Sequence, residues 1–209
     1  RDPEMSRGLG DVYKRQMYHT VKAVKTSKNI PITVVPIMGA ANVRTPERDS
    51  LDLSKELAYA YGGTYHYIYA PLFVNSEEVR DSLEQEPNIK GCLELARNAD
   101  IILTSVGSIV YKSWKSYLST RDLYNLEKKG AIGHIGGHFY DMEGNEVITP
   151  FVNKMIGLGI EDIKNTENVI CVAGLEMKAE AILGAVRGGY INTLITDEEA
   201  AKAVLALCK

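Results

Sequence analysis

The residues best suited to chemistry lie near the C-terminus. Asn168-Val-Ile-Cys-Val-Ala173 leads into Gly174-Leu-Glu-Met-Lys178-Ala-Glu-Ala-Ile-Leu183. A short apolar strand reaches a glycine and turns into a helix with a lysine in its first turn. The first N–H groups of a helix lack intrahelical partners, and the helix dipole is positive there, so such a turn can hold an anion. Gly174 allows close backbone approach, and Lys178 adds a full charge. Glu176, in the same turn, is an acid favoured by the dipole more often than a catalyst. An ordinary βα turn with a solvated lysine fits the same residues.

A second candidate group is His134 and His138, four residues apart in the glycine-rich run Ala131 to Asp141. In a single strand that spacing puts both rings on one face, which suits metal or acid–base chemistry. Only Asp141 lies near enough in sequence to add a third ligand. Hydrogen bonding to a ligand or to backbone is therefore the expected role, with no metal and no cofactor. His19 and His66 read as packing or surface residues. Neither a G-x-S-x-G elbow nor a G-x-x-x-x-G-K-[ST] phosphate loop is present.

The elements that must position these groups alternate. Strands are expected at Ile32–Ile37, Thr64–Tyr69, Asp100–Ser105, Val169–Ala173 and Tyr190–Ile195. Between them fall helices at Ser50–Tyr61, Ser76–Leu83, Pro87–Asn98, Ser119–Gly130, Ile160–Lys164 and Glu176–Arg187. Gly62-Gly63 stops one helix. Thr196-Asp-Glu-Glu199 forms a capping box for the last. The run from Ala131 is expected to extend to a turn at Asp141–Gly144 and return through Glu146-Val-Ile148, a glycine-rich hairpin. Most strands are continuously apolar, which predicts an α/β fold, a doubly wound, mostly parallel sheet covered on both faces. Ligands of such sheets bind beyond the carboxyl ends of the strands. Three strands end there in a glycine turn, at Gly39, Gly107 and Gly174, which suggests a small, polar, phosphorylated ligand.

Composition sets the bounds. The chain has 209 residues, 45% hydrophobic and 24% charged, as a soluble globular protein does. A net charge of -3 gives no electrostatic footprint for nucleic acid. No apolar stretch approaches the ~20 residues of a membrane span. Cys92, Cys171 and Cys208 are far apart and odd in number, which argues for reduced thiols in a cytoplasm. Residues 1–16 show no periodicity, and the string ending Asp11-Val-Tyr-Lys-Arg-Gln16 looks like adaptor-derived residue. They are expected to be a foreign or disordered leader, with native sequence missing before Met17 and a helix already in progress there.

The order of motifs resembles the effector-binding domain of SorC-family transcriptional regulators, within the DeoR-like sugar-responsive group. The matching pieces are Tyr67–Pro71 with Ser76–Leu83, Glu86-Pro-Asn-Ile-Lys90 with Leu93-Glu-Leu-Ala96, and Asp100–Ser108. They continue with Gly130-Ala-Ile-Gly133 through Phe139-Tyr-Asp141 to Gly144, and Met155-Ile-Gly157-Leu158 through Asp162. They end with Val169–Gly174, Lys178-Ala-Glu-Ala-Ile182, and Ile195-Thr-Asp197-Glu198 with Ala200. The resemblance spans about Met17 to Leu207.

It implies a fold similar to sugar-phosphate isomerases and deaminases, used for sensing a phosphorylated sugar. DNA would be bound only through an N-terminal helix-turn-helix, absent here, in a cytoplasmic homo-oligomer. By resemblance Lys178 and Gly174 would hold phosphate, and Gly39, Gly107 and Ser108 would line the cleft. His134 stands where the family usually has Asp or Glu touching sugar hydroxyls. The first strand and its phosphate loop would precede Met17. The competing reading is an isomerase or deaminase of the same fold, which needs a general acid/base over its substrate. A third is a binding fragment with no regulator attached.

Overall fold

The computed structural model describes residues 12–26, 29–40, 50–111, 114 and 117–208. The expected loop over 42–49 and residues 1–11 of the leader lie outside them. The fold is mixed α/β with parallel sheets, as the alternating pattern requires. β1 (Thr33–Val34) pairs in parallel with β2 (Thr64–Tyr65). β3 (Ile101–Thr104), β7 (Asn168–Val172) and β8 (Thr193–Ile195) form a second parallel sheet in the order β3-β7-β8. A small antiparallel sheet contains β4 (Gly107–Ser108), β5 (Gly133–Ile135) and β6 (His138–Tyr140).

Helices connect these strands: α1 (Val12–Ala23), α2 (Ser50–Tyr61), α3 (Glu77–Glu84), α4 (Pro87–Arg97), α5 (Thr120–Lys128), α6 (Ile160–Asn165), α7 (Ala179–Arg187) and α8 (Glu198–Leu207). Their ends follow local chemistry. Ser76 caps α3 by accepting from Val79 N–H. Ser119 and Asp122 form a capping box on α5. Gly62, in the left-handed region at φ 71°, ends α2.

The main core joins the β3-β7-β8 sheet to α7 and the hairpin. Ile102, Val106, Ile135, Tyr140, Val169, Cys171 and Ile182 meet there. A second core is aromatic, with Trp114 and Phe139 fully packed and Phe73, Tyr117 and Phe151 against them.

Five expectations change. First, α1 begins at Val12 rather than Met17, so Val12–Gln16 belong to a helix. Second, the glycine-rich run is not one extended arm. It turns at Gly136-Gly137, both at positive φ (56° and 94°), and bends again at Asp141–Gly144, where Tyr140 bridges Glu146. Glycine is what permits that first turn. Third, His134 and His138 therefore sit on opposite strands of a hairpin, not on one face of one strand. Fourth, the helix after β7 starts with a 3-10 turn at Glu176–Lys178 before α7 begins at Ala179. Fifth, the last helix is capped by Asp197, which accepts from Ala200 N–H, and not by Thr196.

Candidate functional site

Lys178 is the centre of the site. It is 1% exposed, an exceptional state for a lysine. Cys171 of β7 and the 3-10 turn at the start of α7 bring the side chain under the end of β3. Its Nζ donates to the Val106 carbonyl at 2.8 Å and to Oε1 of Gln16 at 2.6 Å. Ser105 Oγ donates to the same Gln16 oxygen at 3.1 Å. Gln16 Nε2 points to the Gly174 carbonyl at 3.4 Å. Two strand ends and one helix thus converge on one ammonium group. No ion pair among the described residues includes Lys178.

A buried cation without a counter-charge is costly. Burial pulls the Lys178 pKa down from 10.5 to about 8. Burial, and then the charge of Lys178, pull His134 down to about 3, so its ring is neutral at pH 7. Burial also pushes the Cys171 thiol up to about 11, which keeps it protonated and inert as a counter-ion. The surroundings of Lys178 therefore carry a net positive charge.

His134 forms the aromatic wall. Its ring stands edge-on to Trp114 at 5.1 Å between centroids and tilts against Phe139 at 5.6 Å. Gly107 lies directly against this ring: a Cβ there would overlap His134 Nε2. β4, which carries Gly107 and Ser108, packs on the Glu176–Lys178 turn. Ser108 is buried, and its Oγ accepts from Val110 N–H at 3.4 Å.

The structure thus gathers Gly107, His134, Gly174 and Lys178, with Ser108 one residue from Gly107. Glu176 and Gly39 do not join the ammonium. Glu176 is exposed. Gly39 instead packs against the Pro71 and Ala70 carbonyls, 2.6 and 2.8 Å from where a Cβ would stand. The expected cradle of helix amides is also partly committed. Leu175 N–H donates to Asp197 Oδ2 at 2.7 Å, and Lys178 N–H to the Leu175 carbonyl at 2.9 Å. A Cβ at Gly174 would run into Asp197 Oδ2, which Leu175 N–H holds in place. The donors aimed at the site are the Lys178 ammonium and the Ser105 hydroxyl.

Sequence reading missed Gln16, Ser105 and the Val106 carbonyl. Ser105 ends a buried strand, a signal that was available. Gln16 gave none, being set aside with the leader. His138 takes the expected backbone-bonding role away from Lys178. Its Nε2 faces the Leu158 carbonyl at 2.9 Å and its Nδ1 the Glu146 carboxylate at 2.8 Å. Among the described residues no group of three or more His, Cys, Asp or Glu could hold a metal ion. No helix among them is long and apolar enough to cross a membrane.

A family model described as "Putative sugar-binding domain" matches residues 13–206. The transcriptional regulator YjhU of Escherichia coli K12 is 28% identical over 203 residues, 95% of this chain and 61% of that protein. The transcriptional regulator LsrR of the same strain is 35% identical over 144 residues, 66% of this chain and 45% of LsrR. The chain thus spans about half the length of these curated relatives. Among solved structures, a domain described in the same terms as the family, from a transcriptional repressor of Vibrio fischeri, superposes with a TM-score of 0.82 at 27% identity. That match covers 91% of this chain and 76% of the other. The full-length sorbitol operon regulator SorC of Klebsiella pneumoniae superposes at 0.86 with 24% identity, over 92% of this chain and 64% of SorC, a likeness of fold.

Proposed function

The chain belongs to this sugar-binding domain family of transcriptional regulators, and on that premise we propose that it senses a phosphorylated sugar without turning it over. One observation carries the reading. Lys178 is a buried ammonium whose acceptors are two neutral oxygens, with no carboxylate paired to it. An anionic ligand group would supply the missing counter-charge, and Ser105 Oγ lies close enough to share it. The rings of Trp114, His134 and Phe139 pack together beside the site. The regulator would work in the cytoplasm as a homo-oligomer. DNA recognition would belong to the part of the relatives' length that this chain does not span.

An enzyme reading would have to use Lys178, its pKa lowered to about 8, as its acid/base, because His134 does not suit that role. His134 is neutral at pH 7 and takes a proton only near pH 3, far from the operating range of a general acid. Calorimetric titration with paired sugars and sugar phosphates tests the proposal. The phosphorylated member of a pair should bind the more tightly, and Lys178→Ala should weaken it by roughly 10- to 150-fold while changing the unphosphorylated member little. Equal loss for both members would reduce Lys178 to a structural residue. Turnover of any sugar phosphate above about 1 s⁻¹ would return the chain to the enzymes.

A further inference from the structure

We propose that two copies of this chain pair through α4, antiparallel about a two-fold axis at Gly91, with the tyrosines around β2 closing over the contact. The inference rests on the homo-oligomer reading above and names the surface such an oligomer would use. α4 buries Ile89, Cys92, Leu93 and Ala96 on one face. Pro87, Asn88, Gly91, Glu94 and Leu95 line an open groove on the other, together with Tyr65, Tyr67 and Tyr69. These tyrosines continue a ladder that starts at Tyr59, with successive ring centroids 5.6, 5.0 and 5.7 Å apart. Both ends of the ladder stand in water, Tyr59 at 61% exposed and Tyr69 at 76%. Tyrosine is enriched at the core of protein interfaces, and a tyrosine ladder left half in water has that composition.

Gly91 sets how closely the partner comes. Glycine inside a helix costs about 1 kcal/mol relative to alanine. A Cβ at Gly91 would meet nothing within 4 Å, so no packing inside the chain requires the glycine. A second backbone arriving from outside does. The face is also self-complementary, as a two-fold contact demands. On the helical repeat Gly91 sits mid-face, with Pro87 and Glu94 to one side and Asn88 and Leu95 to the other. A two-fold axis at Gly91 then sets Gly91 on its own copy, Pro87 on the partner's Leu95, and Asn88 on the partner's Glu94, where the amide donates to the carboxylate. Lys90, on the Pro87 side, crosses to the partner's Cys92 side. There Cys92 Sγ donates to the Tyr67 carbonyl at 3.1 Å, so the ammonium meets the tyrosine faces as a cation–π contact. Lys90 and Glu94 are exposed, and no ion pair among the described residues includes either. Both charges find partners across the axis, and the symmetry closes the contact at two copies.

The test is sedimentation velocity of the 209-residue chain over a concentration series, with thermal melts alongside. The parent should form a dimer. Gly91→Gln fills space that is open within one copy, so it should leave the melting temperature unchanged or raised while weakening the dimer by at least about tenfold. Asn88→Lys should tighten the dimer several-fold, because it makes a new ion pair with Glu94 on each side of the axis. Gly91→Cys should give a disulfide-linked dimer on mild oxidation, well above the parent's background from exposed Cys208. A dimer that ignores both Gly91→Gln and Asn88→Lys would overturn this interface and leave the homo-oligomer reading standing. A parent that stays monomeric up to submillimolar concentration would overturn both. If Gly91→Gln lowers the melting temperature, the Gly91→Cys cross-link decides, and its absence would overturn the interface.

Discussion

Replacing Lys178 with methionine should stabilise the ligand-free chain and weaken binding of anionic ligand. Methionine keeps much of the length of the side chain and drops the charge. The folded chain lowers the Lys178 pKa from 10.5 to about 8. That difference, 10.5 minus 8, corresponds to about 3 kcal/mol held against the folded state while the lysine is charged. At pH 7 both states are protonated and the full cost is present. Between about pH 8 and 10.5 the folded lysine loses its proton before the unfolded one does, so stability of the parent rises with pH in that window. Against the gain, methionine removes one donor each from the Val106 carbonyl and Gln16 Oε1, at about 1 kcal/mol each, while Ser105 Oγ remains within reach of both, at 3.3 and 3.1 Å. Gln16 is half-buried and recovers part of this from water. A net gain of about 1–2 kcal/mol at pH 7 follows. Urea denaturation of both proteins at pH 7 and pH 10, without phosphate, measures it. The variant should be the more stable at pH 7, and the gap should narrow by pH 10. A variant less stable at pH 7, or a gap that ignores pH, would refute the claim that Lys178 is held at a cost. A residue retained at a cost to stability is expected where function needs it.

Other perturbations probe the same architecture. His134 is depressed from 6.5 to about 3, so stability is full above about pH 6.5 and drains away as pH falls toward 3; His134→Gln should flatten that acid limb in denaturation measured between pH 7 and 4. Gly107→Ala should cost about 1–3 kcal/mol by urea denaturation, because the added methyl meets a ring already wedged against Trp114 and Phe139. Leu175, at φ 79° and ψ 130°, is the one non-glycine residue at positive φ among those described; Leu175→Gly should raise thermal stability by about 1 kcal/mol, and no gain would remove the strain. With a net charge of -3, the isolated chain should give no specific gel shift with operator DNA from its own locus at physiological salt.

Local chemistry made much of the fold legible. β3 and β7 are continuous apolar runs, and that pattern alone placed them in a parallel sheet. Ser76, Ser119 and Gly62 marked helix ends because a cap bonds to residues only a few positions away. Gly174 and Lys178 were likewise readable as a strand end followed by the start of a helix. One error came where two local signals competed. Thr196 and Asp197 are both good caps, and the choice fell to Asp197 because it also accepts from Leu175 N–H, 22 positions away.

The sequence by itself determined that a strand ends at Gly174, that a lysine follows it, and that the family is one of sugar-binding domains. Only the tertiary structure decided what surrounds that lysine. The turn at Gly136-Gly137 separated two histidines that spacing had put together, sending His134 to the aromatic wall and His138 to the Glu146 carboxylate. Packing buried Lys178 and left Glu176, two residues earlier, in solvent. It also brought Gln16 to within 2.6 Å of Lys178. Periodicity and capping act over a few residues and can be read along the chain. Burial of a charge, and the neighbours that charge must find, depend on which distant elements share one core, and no local pattern encodes them.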